Sequence, residues 1–327
     1  MTLMISVTRE NFDSLAALRD TDQGLRWTSV FHLPVWMKVW WQQFDGDVDP
    51  HILSIKNGGE VIGVAPLRID GTTAHLIGSD NVCDYLDFVT VPGKEESFFG
   101  AVLDYVKQQG ATQLDLGLLR PDSTVVGQLA DVARGRGMHV DTKQEDVSSE
   151  MDLPDSFEGY LGTLDKKQRH EVRRKIRRLE EAGKVDYQCL NGTSGLDASL
   201  DAFLHLFSLA RDEKAQFMTP EMESFFRAIA HAMAGAGLLW IGKLDFDGKT
   251  AAMVMCFDYN DSVYLYNSGY DPQYDSLSVG LLSKVFCIRE GIQQGRKRFE
   301  FLKGNEIYKQ RLGGKEIPLY RCNISIS

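Results

Sequence analysis

Four stretches of this chain carry side chains whose types and spacing suit chemistry. The thirteen residues KKQRHEVRRKIRR, Lys166 to Arg178, hold eight Lys and Arg against a single acid, Glu171. Wound as a helix, they place Lys166, Arg169, Arg173 and Arg177 on one flank, where they either pair with acidic surface of the same chain or bind phosphates of a ligand or of tRNA. In DSLSVGLLSKVF, Ser276 or Ser278 can cap a helix whose first free N–H groups point at an anion. Val279 follows, and Gly280 leaves room for phosphate oxygens, or for a close-packed neighbour. In FEFLKGNEIYKQRLGG, Glu300 stands between Phe299 and Phe301 and points to the opposite face from both rings. Partial burial there would raise its pKa and suit it to accept a proton from an attacking ammonium; a carboxylate paired with Lys or Arg is the alternative. Lys309 in the same stretch can neutralise a phosphate or a developing negative charge. Lastly, GSDNVCDYLDFV gathers Asp80, Asp84 and Asp87 around Tyr85, either as solvated loop acids or as groups that receive an amine or a sugar hydroxyl.

An internal echo indicates what positions these groups. YVKQQGATQLDLGLL and GIQQGRKRFEFL both run from a helix through Gln-Gln-Gly into a strand. Gln108, Gln109 and Gly110 recur 185 positions later as Gln293, Gln294 and Gly295, and Asp115 recurs as Glu300. Upstream of each copy lies a hairpin: HILSIK and EVIGVAPLRI around NGG, then LLWIGKLDF and TAAMVMCFDY around DG. Each half reads hairpin, strand, helix, strand, short helix, strand. That order predicts an α/β (α+β) protein of two modules, each a mixed sheet flanked by helices. The expected boundaries are 1–154, a basic connecting segment at 155–184, and 185–327.

Within the basic helix, Val172, Ile176 and Leu179 make one narrow apolar stripe, and Gly183 is expected to cap its C-terminus. Two helices are expected next, over 196–215 and from Pro220 onward. Near the start, Trp36, Trp40 and Trp41 recur at helical spacing, as a core stripe or with one ring free to stack on a sugar.

Composition narrows the classes. The 46 acidic residues outweigh 36 basic ones, a net charge of −10 that disfavours general nucleic-acid binding and leaves tRNA as the exception. Five scattered cysteines without a CxxC pair read as reduced thiols of a cytoplasmic protein, and seven histidines without ligand spacing predict no metal. No apolar run reaches membrane-spanning length, and no secretory signal is read at the N-terminus. No nucleophile elbow, P-loop or dinucleotide fingerprint occurs.

Five motifs in order, FHLPVWMKVWWQQF, VIGVAPLRI, SDNVCDYLDFV, LDKKQRHEVRRKIRRLEEAG and SGYDPQYDSLSVGLLS…FEFLKGNEIYKQRLGG, span nearly the whole chain. Together they resemble the double-domain GNAT-like acyltransferases related to FemAB, of the CelD/BcsL acetyltransferase type. The resemblance implies two GNAT-like domains, with the acyl donor in the second. It implies that Asn267, Ser268 and Gly269 lie on the strand that opens to take the pantetheine arm, and that Tyr308 protonates the departing thiolate. The phosphate loop of single-domain GNAT enzymes is replaced here by YDSLSVGLL. The expected activity is transfer of an acyl group from acetyl-CoA or another acyl-CoA to an amine or hydroxyl of a small-molecule or phosphate-bearing acceptor, by direct attack in a ternary complex. Cell-envelope and polysaccharide precursors and small metabolites are the acceptor classes. Aminoacyl-tRNA-dependent transfer and ligand binding without catalysis are the alternatives.

Overall fold

The computed structural model describes residues 4–21, 23–46, 49–210 and 216–326. The chain divides into two compact units. Unit 1 comprises Met1–Val147 with Ile317–Ser327, and unit 2 comprises Ser148–Glu316.

Unit 1 contains strands β1 (Ile5–Glu10), β2 (His51–Asn57), β3 (Glu60–Asp70), β4 (Thr73–Leu76), β5 (Val89–Thr90) and β6 (Gln113–Leu119), and helices α1 (Phe12–Arg19), α2 (Pro34–Phe44), α3 (Glu95–Gln108) and α4 (Ala130–Gly135). The β2–β3 hairpin closes through Gly58 and Gly59, both at positive φ, as a two-residue turn demands. In β3 a continuous run, Val61 to Leu67, is buried, because α3 covers one face through Phe98, Phe99 and Val102. The tryptophan stripe of α2 is core: Trp36, Trp40 and Trp41 are buried, with Trp40 Nε1 donating to Ser79 Oγ at 3.1 Å.

Strand β7 (His139–Asp152) carries the chain into unit 2. There follow α5 (Phe157–Thr163), α6 (Lys166–Ala182), β8 (Val185–Asn191), α7 (Leu196–Ala210), α8 (Pro220–Gly235), β9 (Leu239–Phe246), β10 (Lys249–Tyr259), β11 (Ser262–Tyr270), α9 (Val279–Gln293), β12 (Arg298–Lys303) and α10 (Ile307–Arg311). Part of the helix expected over 196–215, residues 211–215, lies outside the described residues. Asp165 starts α6 by accepting from the Gln168 N–H at 2.8 Å. Val172 and Leu179 of its narrow stripe reach the core formed with α9, β10 and β12. Gly183 stands at the C-cap of α6, as expected, in extended backbone. A Cβ there would meet the Asp247 carboxylate and the Phe246 ring at 2.7 Å, so close approach explains this glycine.

The two units repeat one arrangement. In unit 1, β4 pairs with β6 in parallel through Thr73↔Gln113 and Ala74↔Leu114, with α3 between them in sequence. In unit 2, β11 pairs with β12 in parallel through Ser262↔Arg298, Val263↔Phe299 and Tyr264↔Glu300, with α9 between. In both, the pairing then stops and the strands fan apart. The last strand, β13 (Lys315–Ser325), pairs antiparallel with β6, while residues 148–152 of β7 pair antiparallel with β12. The unit boundaries therefore differ from those expected. The basic helix α6 lies inside unit 2, and the chain returns to unit 1 after residue 316, where residues 320–325 pair with β6. Among the described residues no helix is long and apolar enough to cross a membrane.

Candidate functional site

The N-terminus of α9 is where the basic segment finds a target. Asp271 caps a short 3-10 turn, Pro272–Leu277, and Ser278 then adopts a left-handed conformation with φ 60° before α9 begins. Ser278 does not cap the helix. Its Oγ instead accepts from Lys175 Nζ at 2.8 Å and from an Arg178 terminal nitrogen at 3.3 Å. Arg178 Nε is buried and has no hydrogen-bond partner. Burial pushes the Lys175 ammonium below the usual lysine range, and Arg178, Arg174 and Arg311 push the same way against the opposing Glu171. Like charges thus converge on the positive end of a 15-residue helix with no acid in its first turn. An anion there would relieve the repulsion and use the free N–H groups.

The expected flank of α6 lies elsewhere. Lys166 is exposed, Arg173 pairs with Glu158 at 2.5 Å, and Arg177 lies 3.8 Å from Glu181. Arg169 donates to the Leu164 carbonyl at 3.1 Å. Lys175 and Arg178, not singled out from sequence, are the cations that meet α9. Both face the 3-10 turn side of the helix, and only the position of α9 distinguishes that flank from the other.

At the last β11–β12 rung, Glu300 is 3 % exposed. Phe299 and Phe301 enter the core under α9, so Glu300 faces the other side of the sheet. There it shares cross-strand positions with Tyr264 on β11 and Glu150 on β7, and Phe257 of β10 stands opposite Tyr264. The Arg298 guanidinium lies 3.9 Å away. Ser148, two residues before Glu150, is fully buried and its Oγ has no hydrogen-bond partner. Asn267 and Ser268 continue β11 half-buried, paired with Met255 and Val254 of β10. Gly269 serves packing: a Cβ there would come within 2.3 Å of the Phe207 backbone nitrogen on α7. At Gly280 a Cβ would press on the Tyr270 ring at 2.8 Å.

Helix α10 brings Tyr308 to the edge of the same core, 6.5 Å ring to ring from Phe301, with Lys284 Nζ 5.1 Å from its ring centre. Burial, with Glu306 second, pushes the Tyr308 phenol well above its ordinary pKa, so it holds its proton. Lys309 is almost fully buried. Its ammonium donates to the carbonyls of Leu302, Lys303 and Gly304 at 3.0, 2.5 and 3.2 Å and pairs with Glu306 at 2.9 Å. Its charge is consumed in holding the β12–α10 turn, which carries Tyr308.

In unit 1, Tyr85 is a core side chain, edge-on to Phe31 at 5.9 Å and covered by the Arg120 guanidinium at 5.0 Å. Asp84 is half-buried beside it. Asp87 accepts from the Phe88 N–H and from the N–H and hydroxyl of Thr124, and burial raises its carboxyl to about 6.

Residues 166–310 match the family model of the acetyltransferase (GNAT) domain. No curated protein matches the sequence. Among solved structures, that of FemX superposes with a TM-score of 0.67 at 10% identity, over 97% of this chain and 96% of FemX. A conserved protein of unknown function from Bacteroides thetaiotaomicron gives 0.63 at 13% identity, over 98% of this chain and 100% of that one. The C-terminal domain of a candidate lysylphosphatidylglycerol synthetase from Agrobacterium fabrum gives 0.61 at 12% identity, covering 96% and 92%. At such identities the likeness is one of fold. Over nearly its whole length the chain shares the fold of FemX, and its residues 166–310 match the GNAT acetyltransferase domain.

Proposed function

We propose that this protein is an acyltransferase that takes an acyl-CoA, acetyl-CoA in the simplest case, in unit 2. The observation that carries the reading is the convergence of Lys175 and Arg178 on the α9 N-terminus. The donor diphosphate would bind there, with the Val279 and Gly280 backbone supplying N–H groups, since the Ser278 N–H donates to the Asp275 carbonyl. The pantetheine arm would enter the fan beyond Tyr264, along Asn267 and Ser268. An acceptor amine or hydroxyl then attacks the thioester carbonyl. The new C–N or C–O bond forms as the C–S bond breaks, the attacking group gives its proton to Glu300, and the thiolate takes one from Tyr308. Tyr308 suits that role because burial keeps it neutral. No covalent enzyme intermediate is needed.

A cell-envelope or polysaccharide precursor, or a small metabolite, is the acceptor class we favour, with a CelD/BcsL-type reaction in the cytoplasm. The test is thiol release from acetyl-CoA and longer acyl-CoAs over a panel of amines, amino sugars and UDP-sugars, with calorimetry of donor binding to the enzyme alone. Donor binding with acceptor-dependent release supports the reading; neither donor binding nor release across the panel removes it.

One observation favours a second reading. Lys166, Lys167, Arg173 and Arg177 leave a basic flank of α6 exposed, a surface that suits an extended polyanion. Charged tRNA would then supply the acyl group. Aminoacyl transfer from tRNA, with no thiol release from any acyl-CoA, would select it.

A further inference from the structure

We propose that the fan between β4 and β6 in unit 1 is a second ligand site, and that it takes a small zwitterion of the amino-acid class. A cavity of about 260 Å³ opens where these strands part, lined among others by Arg68, His75, Asp80, Asp115, Gly117 and Arg321. Arg68, His75 and Asp115 come from a single row across the sheet. Arg68 of β3 is the cross-strand partner of His75 on β4, and His75 stands beside Asp115 on β6, which in turn faces Asn323 on β13.

One half of this row is already satisfied. The Arg321 guanidinium donates to Asp115 Oδ1 at 2.6 Å, to Glu145 at 2.6 Å and to Asp80 at 3.2 Å. Gly117 makes room for it, since a Cβ there would lie 2.8 Å from an Arg321 nitrogen. The other half is open. Arg68 forms no ion pair among the described residues, and its Nε is buried without a hydrogen-bond partner. A guanidinium carries only donors, so the partner it lacks is an acceptor, most favourably a carboxylate.

Next to it stand groups that accept. His75 Nδ1 lies 3.1 Å from the Asp115 carbonyl oxygen, which can only accept, so Nδ1 carries the proton and Nε2 offers a lone pair. Asp115 Oδ2 is 3.8 Å from the same ring nitrogen and receives nothing from Arg321. Arg68 and His75 are cross-strand partners on paired strands about 4.8 Å apart, so a donor-only and an acceptor group fall within the span of one small molecule. The lining carries two guanidinium groups, Arg68 and Arg321, and two carboxylates, Asp80 and Asp115, with Glu145 behind Arg321. A ligand of net negative charge gains little there. One that brings a carboxylate to Arg68 and an ammonium to Asp115 and His75 satisfies both ends.

The test is calorimetry on the full chain, without any acyl donor, using glycine, L-serine, L-glutamate and L-lysine, and D-glucose as a neutral solute of similar size. Saturable binding of at least one amino acid is expected, and its methyl ester and deamino analogue should each bind at least tenfold more weakly. Arg68→Met keeps most of the side-chain stem and should weaken binding at least tenfold, whereas Arg134→Ala, an exposed change on α4, should not alter it. Failure of all four amino acids to bind the folded protein overturns the proposal. Equal binding of ester, deamino analogue and parent overturns it as well, even if Arg68→Met does not fold, and so does glucose binding as tight as that of the best amino acid.

Discussion

Units 1 and 2 set the same strand–helix–strand frame to different uses, and the contrast begins at the helix between the fanned strands. Helix α3 opens with Glu95 and Glu96, so its own carboxylates occupy the positive end of its dipole. Helix α9 opens with Val279, Gly280 and Leu281, has no acid in its first turn, and is met by Lys175 and Arg178. The rows across the two sheets diverge in the same sense. Arg68, His75, Asp115 and Asn323 cross unit 1, whereas Phe257, Tyr264, Glu300 and Glu150 occupy the matching places in unit 2. One acid is held by a guanidinium, and the other is buried beside aromatic rings. Backbone geometry alone therefore does not distinguish the two units; the charge at the helix end and the packing around the acid do.

The largest effect should follow from exchanging the two acids. Under the proposed chemistry, Glu300→Gln should lower kcat about 10²–10⁴-fold while donor affinity stays nearly constant, because only the proton acceptor is lost. Asp115→Asn should barely change turnover. It weakens the Arg321 cluster instead and should cost unit 1 about 1–3 kcal/mol in denaturant unfolding. Equal losses of kcat in both variants would erase the distinction between the units.

Second in size is the anion site. Lys175→Ala with Arg178→Ala should raise the donor dissociation constant about 10–100-fold, and should flatten its dependence on salt, since phosphate-facing cations are gone. Arg173→Glu with Arg177→Glu, on the exposed flank, should leave acyl-CoA affinity within about twofold, because surface charges act weakly through solvent. The opposite ranking would move the donor to the outer face of α6.

How far the sequence carried these distinctions depends on the range of the interactions. The Gln-Gln-Gly echo and its acid 185 positions apart are local patterns, and Asp115 and Glu300 stand at matching places on β6 and β12. The hairpin turn at Gly58–Gly59 is equally local. The return of β13 to β6 is not, since it depends on backbone pairing between segments about 200 residues apart and leaves no side-chain signature. The basic helix shows the same limit. Its narrow stripe of Val172, Ile176 and Leu179 leaves two cationic flanks of similar composition, and only the placement of α9 makes Lys175 and Arg178 the inward pair. Lys309 was legible as a cation but not as a buried one, because the carbonyls that consume it belong to a turn with Gly304 at φ 107°.

Third comes a pH effect confined to unit 1. The Asp87 carboxyl titrates near 6 in the folded chain, against 3.8 in the ordinary state, because burial outweighs the donors from Thr124 and Phe88. The folded state then binds the proton more tightly than the unfolded one. Its contribution is greatest below about 3.8 and is lost as pH rises through about 6, with a span of about 3 kcal/mol. Stability curves of the parent and of Asp87→Asn should diverge over that window, and NMR of the carboxyl carbon should show a midpoint near 6. A midpoint near 4 would mean that the three donors, not burial, set its charge.

The smallest effect separates strain from binding at the start of α9. Ser278 adopts φ 60°, which a side chain with a Cβ disfavours by roughly 1 kcal/mol and a glycine does not. Replacing it with glycine should therefore leave the unliganded protein unchanged or more stable by up to about 1 kcal/mol, net of the greater freedom of the unfolded chain. The same change removes the hydroxyl that now accepts from Lys175 and Arg178. If those cations serve a ligand, they are released to it, and donor affinity should hold or rise by about twofold. If instead they serve to fasten α6 to α9 through Ser278, the variant should lose stability and donor affinity should fall with it. Unit 1 supplies the reference. Gly93 already holds φ 82° just before α3, and Gly93→Ser should cost about 1 kcal/mol of stability with no effect on donor binding, since the α3 end carries its own acids. A matched loss of donor affinity in Ser278→Gly and Gly93→Ser would show that the two helix ends are not distinguished by an anion at all.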